Sequence, residues 1–213
     1  MKTLTREDQV KISPDEAVEL LKNGNERFVK NMRAERDLVT QVTETSMGQF
    51  PFATILSCMD SRTSAELIFD QGIGDIFSIR IAGNVLNDDI VGSMEFASKL
   101  VGTKVILILG HTKCGAVGGA CDNVEMGNLT SLLQKIKPAI ERETSIKENR
   151  NSKNPDFVNR ITELNVRMVM EKVIEQSPII AELEKEGKIR IIGGFYDVDS
   201  GKVEFYKEDK RIS

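Results

Sequence analysis

The sequence predicts an α/β fold: one domain spanning residues 1–213, with a mostly parallel sheet flanked by helices and a helical arm over about residues 1–35. Two observations predict the sheet. Three apolar runs, FATILSC (52–58), IFSIRIA (76–82) and KVILILG (104–110), alternate with amphipathic or turn-rich stretches. Strands that are apolar throughout are buried on both faces, and helices between them form the right-handed crossovers of a parallel sheet. The closing stretch, KIRIIGGFYDVDSGKVEFY, reads as two more strands around the turn DSG, a hairpin at the sheet edge.

The remaining elements follow in order. Ser13-Pro14-Asp15-Glu16 starts the arm helix, with Ser13 as N-cap, Pro14 at the first helical position and Glu16 closing a capping box. The helix is predicted to run to about Met32 on a stripe of Ala17, Leu20, Leu21, Phe28 and Met32, with Gly24 weakening its middle. It packs on the body or on a second subunit. Asn154-Pro155-Asp156 opens a second long helix, in which Phe157, Ile161, Leu164, Met168 and Val169 recur at helical steps until Ser177-Pro178 restarts it. Residues 141–154, ERETSIKENRNSKN, are polar and read as a helix end followed by an exposed loop. No internal repeat or linker divides the chain.

Composition narrows the function. The formal net charge is -4, and Lys and Arg are interleaved with acids, so nothing attracts nucleic acid in general. The longest apolar run, VILIL, is far short of the roughly 20 residues of a membrane span. MKTLTREDQV lacks the apolar segment of a signal peptide, so the expected location is cytoplasmic, with no membrane partner. Three cysteines make no disulfide framework and point to free thiols or metal ligands. Any chemistry that needs an imidazole must use His111, the sole histidine.

Ligands of open parallel sheets bind beyond the carboxyl ends of the strands. Two reactive clusters fall there: Cys58, Asp60 and Arg62 after the first apolar run, and His111 with Cys114 after the third. Cys58, His111 and Cys114 form a good zinc set, because zinc takes sulfur and nitrogen tetrahedrally and three protein ligands leave a catalytic vacancy. Cys121, about 10 Å farther along a helix than Cys114, is poorly placed to close the site. If the loop stays extended, residues 58, 60 and 62 point to one side. Asp60 can then take the fourth zinc position or turn to Arg62 and accept a hydrogen bond from a zinc-bound water. A guanidinium partner favours the second arrangement.

These motifs, C-M-D-S-R at 58–62, R-I-A-G-N at 80–84 and G-H-T-K-C-G at 110–115, resemble those of the β-class carbonic anhydrases. The similarity extends from about Ser13 to GGFYDVDSGKVEF. It implies one Zn²⁺ per chain on Cys58, His111 and Cys114, with Asp60 and Arg62 as catalytic dyad. It also implies four parallel strands with an antiparallel edge strand, and a homodimer, often a dimer of dimers, whose active-site cleft lies at the subunit interface. The implied reaction is the hydration of carbon dioxide to bicarbonate and a proton by zinc-bound hydroxide.

By distance from Cys58, the resemblance makes Gln49 the substrate-facing glutamine and Phe77 and Ala82 part of the apolar pocket. Phe96 matches an aromatic position that the partner subunit contributes, and Gly83 and Gly115 offer close backbone approach. One position departs: members with a bicarbonate-controlled inactive state carry Trp three residues before the first cysteine, where this chain has Ile55, although Arg80 and Tyr196 remain. The ordinary active form, with Asp60 paired to Arg62, is therefore expected. Two other functions stay open: a zinc hydrolase of CS₂ or COS on the same scaffold, and a metal-free thiol redox or interaction protein. The missing Cys-x-x-Cys weakens the latter.

Overall fold

Five strands pair in the order β2-β1-β3-β4-β5 in a computed structural model that describes residues 2–206. Met1 and residues 207–213, which the single-domain expectation includes, lie outside the described residues. The chain order is α1 (Arg6–Lys11), α2 (Pro14–Val29), α3 (Leu38–Glu44), β1 (Ala53–Ser57), α4 (Ala65–Ile68), β2 (Ile76–Arg80), α5 (Asp88–Glu95), β3 (Val105–His111), α6 (Gly115–Cys121), α7 (Gly127–Gln134), α8 (Lys137–Arg142), α9 (Pro155–Gln176), α10 (Pro178–Lys185), β4 (Arg190–Tyr196) and β5 (Val203–Phe205). A 3-10 turn, Ala82–Asn84, follows β2, and α5 continues into a π-helical stretch, Phe96–Val101.

The first four strands are parallel and β5 is antiparallel to β4. The apolar runs explain why the sheet is covered twice. Along β3, Leu107 and Leu109 point into a core with Leu21, Ile55 and Phe69, whereas Ile106 and Ile108 point into one with Val166, Val169 and Ile180. Successive strand residues face opposite sides, so an unbroken apolar strand needs helices on both. Here α2 covers one face and α9 with α10 the other.

Helix α2 begins as expected, with Ser13 accepting from the Glu16 N–H in a capping box. Its buried stripe differs: Ala17, Val18, Leu21, Gly24 and Asn25 face inward, while Leu20 and Met32 are exposed. The helix stops at Val29, and α1 is a separate short helix ahead of it. Gly24 does not merely weaken the helix. A Cβ there would lie 1.8 Å from the Phe69 carbonyl oxygen, so the missing side chain is what lets α2 rest on the backbone that follows α4.

Helix α9 carries the predicted apolar repeat and lies against β3, where a Cβ on Gly110 would meet Thr162 and Val166 methyls at 2.8 Å. Residues 141–154 are not simply an exposed loop, because Glu143 is buried. Its carboxylate accepts from the Ser145 hydroxyl, the Ile146 N–H at 3.0 Å and Arg160 Nε at 3.0 Å. Burial alone would raise its pKa, but these donors, led by Ser145, hold it down to about 2.

A depressed carboxyl pKa gives stability that is fully present above the unfolded value of 4.5 and is lost as pH falls toward 2. Arg160 is half exposed, so screening reduces the contribution to about 2 kcal/mol. Glu143→Gln is expected to lose that amount in urea unfolding at pH 7 and almost nothing near pH 2. A loss equal at both pH values would contradict the assignment.

Candidate metal centre

The strand order reverses between β1 and β3, since the chain leaves β1 for β2 on one side and later returns as β3 on the other. The crevice at the carboxyl ends of two such strands is where open α/β sheets take ligands. Cys58 is the residue after β1, and His111 is the last of β3. Ser57 pairs with Leu109, which brings these two strand ends level. Lys113, at φ 56°, turns the chain back so that Cys114 caps the start of α6.

The structure thus gathers the three expected donors. Their ligating atoms lie within 4.8 Å of one another, with the two sulfurs 3.9 Å apart. All three side chains are buried, and Cys121 is not part of the group. His111 Nδ1 lies 2.8 Å from the Thr112 carbonyl oxygen, which only accepts, so Nδ1 carries the hydrogen. Nε2 is left buried with a lone pair and no hydrogen-bond partner. An orphaned buried acceptor is costly unless something electrophilic meets it. Two thiols and this imidazole nitrogen are donors that zinc accepts well, so the set fits that metal.

The hydrogen bond from Cys114 holds the Cys58 thiol below its ordinary value, against the opposing effect of burial. The backbone N–H groups of Asp60 and Gly83 add to the lowering. Cys114 is pushed up by the same contact with Cys58 and by its own burial. Cys121, away from the group, is pushed up to about 11 by burial.

Asp60 and Arg62 are paired, with Arg62 Nε 2.9 Å from Oδ1 and an Nη 2.7 Å from Oδ2. This pair holds the Asp60 carboxyl well below the usual range. The reason differs from the expected extended alternation. Residues 61–62 form a turn, and Asp60 Oδ1 also accepts the Arg62 N–H at 3.0 Å, so the carboxylate and guanidinium meet across an Asx-type turn. Two donors pin the loop from behind. Thr63 Oγ1 and Arg80 both donate to the carbonyls of Cys58 and Asp60, with Thr63 at 2.8 and 2.9 Å and Arg80 at 3.3 and 2.6 Å.

The expected pocket residues divide into two groups. Ala82 precedes Gly83, whose N–H donates to Cys58 Sγ at 3.3 Å, and Gly115 follows Cys114 at the start of α6. A cleft of about 700 Å³ opens beside Cys114 and Gly115, walled by Thr112, Ser152, Val158 and Asp197; Ala82 does not line it. Gln49, Phe77 and Phe96 lie elsewhere. Phe77 is in register with Thr54, four residues before Cys58 and therefore about 13 Å back along the sheet. Phe96 packs on Phe77 with ring centroids 6.4 Å apart and the ring planes tilted by 55°, and Gln49 sits beside Gly74 at the opposite end of β1. Sequence reasoning missed Thr63 and Asn165 as supports of the site, because one is a loop hydroxyl and the other sits inside a helix whose periodicity marks only its apolar face.

An open, mostly parallel sheet with a buried Cys-His-Cys group at its switch point defines an α/β domain with a possible metal site. The chain belongs to the carbonic anhydrase family, in its β class: the family described as carbonic anhydrase matches residues 53–203. Carbonic anhydrase 2 of Mycobacterium tuberculosis is 35% identical over 195 residues, 89% of this chain and 91% of its own. Beta-carbonic anhydrase 1 of Mycobacterium bovis is 31% identical over 70% of this chain and 78% of its own. Among solved structures, the β-carbonic anhydrase CafA of Aspergillus fumigatus matches with a TM-score of 0.71 at 29% identity, over 79% of this chain and 81% of that one. Sordaria macrospora β-carbonic anhydrases described as tetrameric share the fold, with a TM-score of 0.66 at 24% identity, over 78% of this chain and 89% of that one.

Proposed function

We propose that this chain catalyses the reversible hydration of carbon dioxide to bicarbonate and a proton, with one zinc ion held by Cys58, His111 and Cys114. The observation that carries the reading is the buried donor set with its orphaned imidazole nitrogen. Zinc bound there supplies a nucleophilic water, acidified less than at a three-histidine site because two thiolates cancel the metal's charge.

The chain's own residues do the rest. Asp60, kept ionised by Arg62, accepts a hydrogen bond from the attacking water and so orients its lone pair toward substrate. Bidentate pairing supports Asp60 staying with Arg62 instead of taking a metal position. Thr63 and Arg80 hold the loop that carries both Cys58 and Asp60, and Gly115, with open space where a side chain would lie, borders the cleft beside Cys114; we assign it and Ala82 to the substrate pocket.

Gln49, Phe77 and Phe96 are too far along the sheet to line their own chain's centre. We assign them to the pocket of a second copy, which makes the functional unit a homodimer or a dimer of dimers. The exposed apolar side chains of Leu38, Val39, Val42 and Phe96 support a covered surface of this kind. No helix of the described residues is long and apolar enough to cross a membrane, and the three cysteines are unpaired, as suits a cytoplasmic enzyme.

The test is stopped-flow CO₂ hydration from pH 6 to 9, with CS₂ hydrolysis measured on the same preparation. Hydration that rises toward alkaline pH is expected. CS₂ hydrolysis without CO₂ hydration would overturn the substrate, and a flat profile would overturn the assigned charge balance.

A further inference from the structure

We propose that Asn165, on α9, is a positioning residue for the metal centre: its amide holds the Gly83 carbonyl and so keeps the Gly83 N–H on the sulfur of Cys58. The sulfur accepts two backbone N–H groups, from Asp60 at 3.4 Å and from Gly83 at 3.3 Å. The first belongs to the same loop. The second arrives from a turn 25 residues away and must be aimed.

Gly83 sits at φ 65° and Asn84 at φ 42°, two successive left-handed residues of the types that adopt this conformation most readily, and the Asn84 N–H closes the turn on the Ile81 carbonyl at 3.0 Å. Both polar atoms of the Asn84 side chain are buried without partners, so that side chain does not fasten the turn to the body of the domain. The fastening comes from Asn165, which is 3% exposed and donates from Nδ2 to the Gly83 oxygen at 3.0 Å. Ile136 and Ala116 close the other side, since a Cβ on Gly83 would lie 2.8 Å from the first and 3.3 Å from the second. The same helix seats Gly110, next to His111, through Thr162 and Val166. One helix therefore registers both halves of the donor set.

A buried amide can also serve only to satisfy a carbonyl. Here the satisfied residue carries the sulfur's own donor, and N–H groups on a ligating sulfur draw charge from it and tune the metal it binds. The inference rests on the zinc reading, and the experiment separates the two.

Cobalt(II) is loaded into the full-length chain and into Asn165→Leu, which keeps the volume and removes the donor. The sulfur-to-cobalt charge-transfer band, zinc affinity by chelator competition and the melting temperature are then compared. Asn165→Ser, whose hydroxyl is too short to reach Gly83 directly, replaces the leucine variant if that fails to fold. The band is expected to move to longer wavelength and zinc affinity to fall roughly 10-fold. A folded variant with unchanged band and affinity overturns the proposal, and so does a lowered melting temperature with an unchanged band. Absence of cobalt binding by the unaltered chain overturns the zinc reading and this inference with it.

Discussion

Replacing His111 with asparagine is expected to abolish zinc retention and to cut CO₂ hydration by roughly 10³-fold or more, because nothing then generates a nucleophile from water at neutral pH. The chain has no second histidine to take over. The buried Nε2 already lacks a protein partner, and its ring is set by the Thr112 carbonyl through Nδ1. The fold should survive, since the strand pairing of β3 with β1 and β4 is made by backbone and by apolar side chains before residue 111. Elemental analysis and stopped-flow hydration, with circular dichroism as the folding control, check this. A variant that keeps one zinc per chain would remove His111 from the ligand set.

The second large effect concerns stability. Asp70→Ala is expected to cost about 3–5 kcal/mol in urea unfolding, because it removes the buried carboxylate that two guanidinium groups share. Asp70 is 3% exposed and receives Arg27 at 2.6 Å, Arg36 at 2.6 Å and the Ala34 N–H at 3.1 Å. Burial alone would raise its pKa, but these donors hold it below the ordinary value. The pair ties α2 and the chain after it to the end of α4. Asp70 also sits at φ 47°, where alanine is strained and asparagine is tolerated. Asp70→Asn should therefore lose less than Asp70→Ala at neutral pH. A loss below about 1 kcal/mol for the alanine variant would show that the arm contributes little to the body's stability.

Much of this arrangement was legible because a few physical rules act locally. Unbroken apolar runs become doubly covered strands, Ser13 and Asn154 cap helices before proline, and reactive residues at strand ends converge at a switch point. The donor set followed from residue chemistry together with its placement at two strand ends. What stayed hidden depends on contacts distant in sequence. Gly24 looks like a helix weakness until Phe69 is seen beneath it, and Glu143 looks like loop until Arg160 and Ser145 close on it. The Asp60 and Arg62 pairing was expected from an extended loop but comes from a turn, a backbone choice that spacing does not reveal. The positions of Gln49, Phe77 and Phe96 follow from strand register, and residue spacing from Cys58 carries no such information.

CO₂ hydration is expected to depend on one zinc ion held by Cys58, His111 and Cys114, and the most direct test is to titrate zinc into metal-stripped protein while following the hydration rate. The rate should start near the buffer background, rise linearly and break at one zinc per chain. Full activity before any zinc is added, or none after one equivalent has bound, would contradict it.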